Sequence, residues 1–396
     1  MRGKHILYLT PDGLTDVLGQ SQILPYLCGL AKAGYPITII SWEKKNRFQI
    51  QKRAVQALCD QNKIVWHPLS FIQFPPLVAP LLNLYFMYQR ALWVERKDPY
   101  QVVHCRSYLT SLVGVALKKR KKKKYLFDMR GFWADERRES NLWPASSFIY
   151  ERIYQYFKKK ERLFLEQADH VITLTNRAAT EIRAWRIGTA PITVIPTCVD
   201  LQHFDANTVA PGQQELRRQL NIPADAFVLL YLGSWGSWYL TEQMLQFYRA
   251  LKAHTNAIFL VLTPDVTQVP LEPGVKAMEV NRTELPRYIS MAQASVFFIQ
   301  PTFSKMASAA TKMGELLAMN VAVVTNKGWG DATEILSKHQ AGILLNDFSE
   351  TEINLAVEQL LLGKPRTDLR AVAATYFDLE MGINKYQQVY AALTVV

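Results

Sequence analysis

Short β-rich runs alternate with helical patterns along this chain, break off once, and then begin again. The first series puts strand candidates at residues 5–10, 37–41, 64–69, 102–105, 125–129, 170–175 and 193–196, with helices between them such as 20–33 and 144–166. Apolar runs joined by helices of this kind predict βαβ units, hence a mostly parallel sheet with helices on both faces. A polar, unpatterned stretch at 205–213 interrupts the series. Beyond it, strands are expected at 227–232, 258–263, 295–300 and 321–325, with helices at 242–251, 284–291 and just before the last strand. The expected fold is α/β, two doubly wound Rossmann-like domains divided near residue 205. A chain of 396 residues is too long for one ordinary core and suits two domains of about 200. Doubly wound sheets bind ligands beyond the carboxyl ends of their strands, so a cleft between two facing domains is the expected active site.

Composition narrows the class. With 49% hydrophobic and 20% charged residues the chain is globular. Cys28, Cys59, Cys105 and Cys198 are far apart and lack the paired spacing of a zinc site, so reduced thiols and a cytoplasmic chain are expected. The opening MRGKHILYLTPDG has only a short apolar run before Pro11, and reads as a first strand more than as a secretory signal. Residues 68–89 are uncharged, but Pro75, Pro76 and Pro80 interrupt them, whereas a spanning helix needs about 20 apolar residues.

The net charge of +12 is concentrated: of 46 basic residues seven lie in KKRKKKK, from Lys118 to Lys124, leaving 39 against 34 acidic ones. Such a run can dock on anionic lipid at the inner face of a membrane, at about 1 kcal/mol per basic residue near the surface. It can equally be a solvated loop between a helix and the strand at Tyr125. No stacking-aromatic or helix-turn-helix signature accompanies it, which argues against nucleic acid. In the same domain, LVAPLLNLYFMYQRALW at 77–93 is apolar nearly all round and ends in Trp93. It suits either an interfacial helix or a buried core helix.

ATKMGELLAMNVAVVTNKGWGDATEIL, from Ala310 to Leu336, reads as a helix, a buried strand and a glycine-punctuated loop. If the helix begins near Ser308, then Ser308, Thr311 or Lys312, and Glu315 share one face while Met313, Leu316 and Leu317 point inward. A helix N-terminus with a hydroxyl and an ammonium suits a diphosphate, and a glutamate farther along suits ribose hydroxyls. An ordinary surface helix with a wet polar side fits the same pattern.

Several segments resemble the family-4 glycosyltransferases, enzymes of the GT-B fold that move a sugar from a nucleotide donor to an acceptor. They are ADHVITLTNRAATEI from Ala168, VIPTCVDLQHF from Val194, VAVVTNKGWGDATEIL from Val321 and YFDLEMGINKYQQVYAAL from Tyr376. The resemblance implies an acceptor-side domain over 1–204, a donor-binding domain over 205–375, and a final helix at 376–396 crossing back to the first domain. It also implies a retaining reaction, usually without a bound metal, and no D-x-D motif contradicts this. The expected ligands are a nucleotide sugar, UDP favoured over GDP, and a glycan or polyprenyl-linked acceptor in polysaccharide or lipopolysaccharide synthesis.

In the family the first loop meets the donor phosphates through a glycine. Gly19 in PDGLTDVLGQSQ is the matching position, before a helix expected at Gln20. Glycine there suits close backbone approach and a positive φ, and the absence of G-x-G-x-x-G argues against a nicotinamide enzyme. Glu315 matches the second of the family's paired glutamates, but Ala307 stands where the first would be. The usual arginine and lysine are absent from YLGSWGSWYLTEQM, leaving Lys305 and Lys312 as replacements.

On the acceptor side, HCRSY and DMRGFWADERRE follow two strands and resemble subgroup motifs. Arg106 and Arg130 are expected to assist the leaving phosphate or to hold an anionic acceptor; His104, Asp128 or Glu136 is expected to position the acceptor hydroxyl or act as base. A salt-bridged loop is the competing reading of that cluster. A catalytically silent scaffold and a nucleotide-sugar epimerase of the same fold are the competing functions.

Overall fold

The computed structural model describes residues 4–76, 78–363 and 367–394, so Leu77 of the apolar segment lies outside the described residues. It divides into two compact units, Met1–Pro196 with Leu379–Val396, and Thr197–Asp378.

In the first unit seven parallel strands, β1 (Ile6–Thr10), β2 (Ile37–Glu43), β3 (Val65–Ser70), β4 (Val102–Arg106), β5 (Lys124–Asp128), β6 (His170–Thr173) and β7 (Ile192–Val194), form a sheet in the order 3-2-1-4-5-6-7. Each coincides with one of the expected apolar runs. β1 and β4 are buried on both faces, which explains why ILYLT and VVHCR read as near-continuous runs. The strand order turns back between β1 and β4, and there the connections leave in opposite directions and open a crevice.

The helix Ser107–Lys121 lies against this sheet through Gly114, where a Cβ would sit 2.4 Å from the Cys105 sulfur. The basic run falls at the C-terminal end of that helix, where cations complement the helix dipole. Part of it is used internally: Lys118 pairs with Asp169 at 2.7 Å, Lys123 with Glu95, and Lys124 with Asp169 at 3.5 Å.

The second unit has six parallel strands, β8 (Phe227–Leu232), β9 (Ala257–Leu262), β10 (Val275–Met278), β11 (Ala294–Val296), β12 (Ala322–Asn326) and β13 (Gly342–Leu345), in the order 10-9-8-11-12-13. The sequence reading missed β10 and β13. Both are four-residue, half-buried edge strands, and β10 carries a lysine, so neither makes a long apolar run. β11 is shorter than expected because the Asn326 side chain takes over the pairing, accepting from the Ile299 N–H at 2.8 Å and donating to its carbonyl at 2.9 Å.

Residues 197–204 belong to the second unit, although the sequence puts the boundary after them. Phe204 is buried in its core, Arg370 donates to the carbonyls of Leu201 and Phe204, and the Val199 N–H donates to the Phe377 carbonyl. The final helix, expected from residue 376, begins at Leu379: residues 376 and 377 end a preceding helix, Leu369–Phe377, and Asp378 is extended between the two. The helix Leu379–Thr394 packs in the first unit, where Ile383 fills the space at Gly29 and the Tyr35 hydroxyl donates to the Gln387 carbonyl.

Candidate functional site

The loop after β1 is held from β2. The Glu43 carboxylate accepts from the Leu14 and Thr15 N–H groups at 2.8 and 3.2 Å, and from the hydroxyls of Thr15 and Ser41. Gly19 lies inside the short helix Val17–Gln22, not ahead of it, and has no positive φ. Its role is close approach alone, since a Cβ would stand 2.1 Å from the Gly13 carbonyl oxygen. This packing sets Gln22 at the helix end, where its side-chain oxygen accepts from Arg106 Nη2 at 3.2 Å and Arg130 Nη2 at 3.1 Å.

His104, Arg106, Asp128 and Arg130 come together at the ends of β4 and β5. Arg106 Nε donates to Asp12 at 2.9 Å. Burial opposes its charge, but nearby acidic groups, Asp12 and Asp128 among them, outweigh burial and keep it protonated. Arg130 has left-handed backbone, φ 56°, with Gly131 following, so the chain turns sharply and brings the guanidinium back toward Asp128.

His104 and Asp128 are 1% and 0% exposed. The imidazole bonds the Tyr390 hydroxyl at 2.7 Å and Asp128 at 3.3 Å, and the Tyr386 hydroxyl donates to Asp128 at 3.2 Å. Burial lowers the His104 pKa, so the ring is neutral at neutral pH. Burial would raise the Asp128 carboxyl, but Arg130, the His104 bond and Arg106 outweigh it and hold it ionised. Neither side chain lines the adjoining pocket, and Asp128 lies 3.9 Å from Arg130 Nη1. Glu136, on the helix Trp133–Glu139, does line that pocket, whereas its neighbour Asp135 is bonded to Tyr154 and Lys158. The pocket, of about 400 Å³, opens beyond β1 and β4, with Asp12, Trp42, Phe71, Arg106, Arg130 and Arg137 on its walls.

In the second unit the expected polar helix face is not a wet one. The helix spans Thr311–Ala318 and is preceded by a 3-10 turn, Phe303–Ala307. Ser308 lies between them in extended backbone, its N–H donating to the Lys305 carbonyl, so it is not at the helix N-terminus. Thr311 is the first helical residue, and no side chain caps the end.

Lys312 is 6% exposed, and its Nζ sits over the rings of Tyr239, Tyr231 and Phe297 at 3.7, 4.4 and 5.4 Å. No hydrogen-bond acceptor meets it. Burial pulls its pKa well below the ordinary value, against the pull of Glu315. Gly233, with φ 123°, leaves it room, since a Cβ there would be 2.7 Å from the amine. Lys305 Nζ lies 3.4 Å from the centre of the Trp238 ring. The cation-free segment YLGSWGSWYLTEQM is thus the wall against which both lysines pack.

Glu315 is buried and bonded to Arg282 Nη1 at 2.8 Å. Arg282 escaped the sequence reading because its partner is 33 positions away and the intervening loop carries no motif. Ala307 is buried at the end of the 3-10 turn. Among the described residues no group of three or more His, Cys, Asp or Glu is arranged to hold a metal.

Residues 26–203 match the model of a family described as Glycosyltransferase Family 4. No curated protein matches the chain. Among solved structures, sucrose-phosphate synthase from Thermosynechococcus elongatus superposes with TM-score 0.73 at 17% identity, over 98% of this chain and 99% of that one. Anabaena HepE in complex with UDP and glucose gives 0.69 at 15% identity, over 98% and 99%. WaaG, a glycosyltransferase involved in lipopolysaccharide biosynthesis, gives 0.67 at 12% identity, over 99% and 100%. At such identities the likeness is one of fold: the chain has the GT-B fold of glycosyltransferases, and most of its first unit is similar to glycosyltransferase family 4.

Proposed function

We propose that the protein transfers a sugar from a nucleoside-diphosphate sugar, uridine favoured, to a glycan or lipid-linked acceptor in cell-surface polysaccharide or lipopolysaccharide synthesis. The observation that carries this reading is Lys312, a buried amine without an acceptor beside the first turn of a helix. An anionic ligand supplies what it lacks, and a diphosphate there also meets the first turn of the helix and the amine of Lys305. Glu315 then holds the ribose, exchanging its bond with Arg282, which is the more exposed partner. The solved HepE and trehalose-6-phosphate structures carry UDP and UDP-2-fluoro glucose, which favours uridine.

In such a reaction charge develops on the departing diphosphate, so preorganised cations there lower the barrier more than any other device. Lys305, Lys312 and the helix end take that role, with retention and no metal. Gly19 keeps the first loop close-packed, and Arg106, Arg130 and Glu136 act on the acceptor.

Incubation with UDP-sugars in the absence of acceptor tests the reading. Slow release of UDP with the free sugar unchanged is the expected result. Conversion of the sugar while it stays attached to UDP would make the chain an epimerase, and no release from any donor would leave only a scaffold.

A further inference from the structure

Three side chains that line the pocket of the first unit carry donors without acceptors. Among the described residues the Trp42 indole N–H, Arg130 Nε and Arg137 Nε are buried and unpartnered, and all three side chains line the one pocket. Trp42 is 3% exposed, and the Arg130 side chain 9%. Of the three carboxylates alongside, Asp12 is paired with Arg106 at 2.9 Å and Asp16 with Lys44 at 2.8 Å, and Glu136 lines the same pocket. Arg137 stacks over Trp133 and Trp143 at 4.4 and 5.6 Å, which fixes its plane without satisfying its Nε. Three N–H groups from separate elements suit a group with several acceptor oxygens, and a phosphate has them on every side.

An apolar track leads away from that pocket. Trp42 stacks on Phe71 at its lip, centroids 6.2 Å apart. The next residue is clamped to the helix Ala79–Lys97, since the buried Asn83 side chain accepts from the Ile72 N–H at 3.0 Å and donates to its carbonyl at 2.8 Å. Beyond the clamp Phe74, Leu81, Tyr85 and Phe86 are 77, 65, 56 and 48% exposed. Leu81 and Tyr85 lie opposite the buried Asn83, Met87, Ala91 and Val94, so the helix buries one side and leaves its other side apolar in solvent near its start. A surface helix ordinarily carries charge there. No acidic residue occurs between Asp60 and Glu95.

We propose that pocket and track together bind an anionic amphiphile, a lipid headed by a phosphate, with the phosphate against Trp42, Arg130 and Arg137 and the hydrocarbon along Phe71, Phe74, Leu81 and Tyr85. This rests on reading the first unit as the acceptor side. It puts the lipid-facing surface at the start of the Ala79–Lys97 helix and not at the lysine run, which ends the neighbouring helix at the opposite edge of the sheet.

Calorimetry with monomeric dodecyl phosphate, inorganic phosphate, dodecyl maltoside and anionic vesicles tests it on the full chain. Dodecyl phosphate is expected to bind at least about tenfold more tightly than inorganic phosphate, because burial of a few methylene groups is worth that much, and also more tightly than the maltoside, which has the same chain but no phosphate. The variant Phe74→Ser/Leu81→Ser/Tyr85→Ser, altered only at exposed positions, should lose that advantage while keeping its melting temperature. Arg137→Gln should lose the preference for phosphate over maltoside. Equal affinity for phosphate and dodecyl phosphate, an unaffected triple variant, or binding to vesicles alone would overturn the proposal. So would a dimer that the triple variant dissolves, since a second copy would then cover the track. UDP binding is read in the same samples: its loss with dodecyl phosphate binding intact counts against the donor reading only, and the reverse counts against this one only.

Discussion

Lys312 is a base withdrawn from solvent without a hydrogen-bonded acceptor, and its surroundings make it a reporter of anion binding. Its pKa falls from 10.5 by burial, so in that depressed window the unfolded chain holds a proton that the folded chain does not. Stability should therefore drop as pH falls from 10.5 toward the folded value, and Lys312→Met should flatten that slope in denaturant titrations at several pH values. A bound diphosphate reverses the balance by favouring the charged amine. Binding of UDP at a pH between the depressed folded value and 10.5 should take up a proton, seen as a dependence of the calorimetric enthalpy on the buffer's ionisation heat, and Lys312→Met should abolish the uptake. At Gly19 the constraint is steric. Gly19→Ala puts a methyl against the Gly13 carbonyl and should cost about 1–3 kcal/mol, read from the shift in urea midpoint.

At the scale of elements, the loop after β1 and the ends of β4 and β5 are held by side chains from other strands. Glu43→Ala removes the acceptor of two backbone N–H groups and two hydroxyls, and should cost at least about 2 kcal/mol and weaken phosphate binding in the pocket. The central strands of the first unit were legible because burial on both faces leaves near-continuous apolar runs such as ILYLT and ITIISW. The edge strands β10 and β13 were not, because half-exposed strands of four residues have no such run. The residues HCR and DMR stood out as polar groups at strand ends. What they do locally was illegible, since Tyr390 and Tyr386, which bond His104 and Asp128, lie 286 and 258 positions away. Separation in sequence also hid Arg282, 33 positions from Glu315, and the rings of Tyr231 and Tyr239 from Lys312.

For the whole molecule, the chain's return matters most. The helix Leu379–Thr394 belongs to the unit with which the chain begins, and its tyrosines complete that unit's polar core. Deleting residues 379–396 should unfold the first unit selectively, leaving His104 and Asp128 buried without two of their partners. Scanning calorimetry should then show one transition fewer or a lowered first one. In the intact protein UDP should raise the transition of the second unit by about 2.7 kcal/mol at a hundredfold excess over Kd, and leave the first unit's own stability unchanged.

Calorimetric titration with UDP and GDP tests whether Lys312 and Glu315 form a nucleotide-sugar donor site. UDP is expected to bind and GDP to bind more weakly, and Lys312→Met and Glu315→Gln should each weaken UDP by about tenfold, or 1.4 kcal/mol. UDP binding that both variants leave intact would contradict that assignment, as would the absence of binding to either nucleotide.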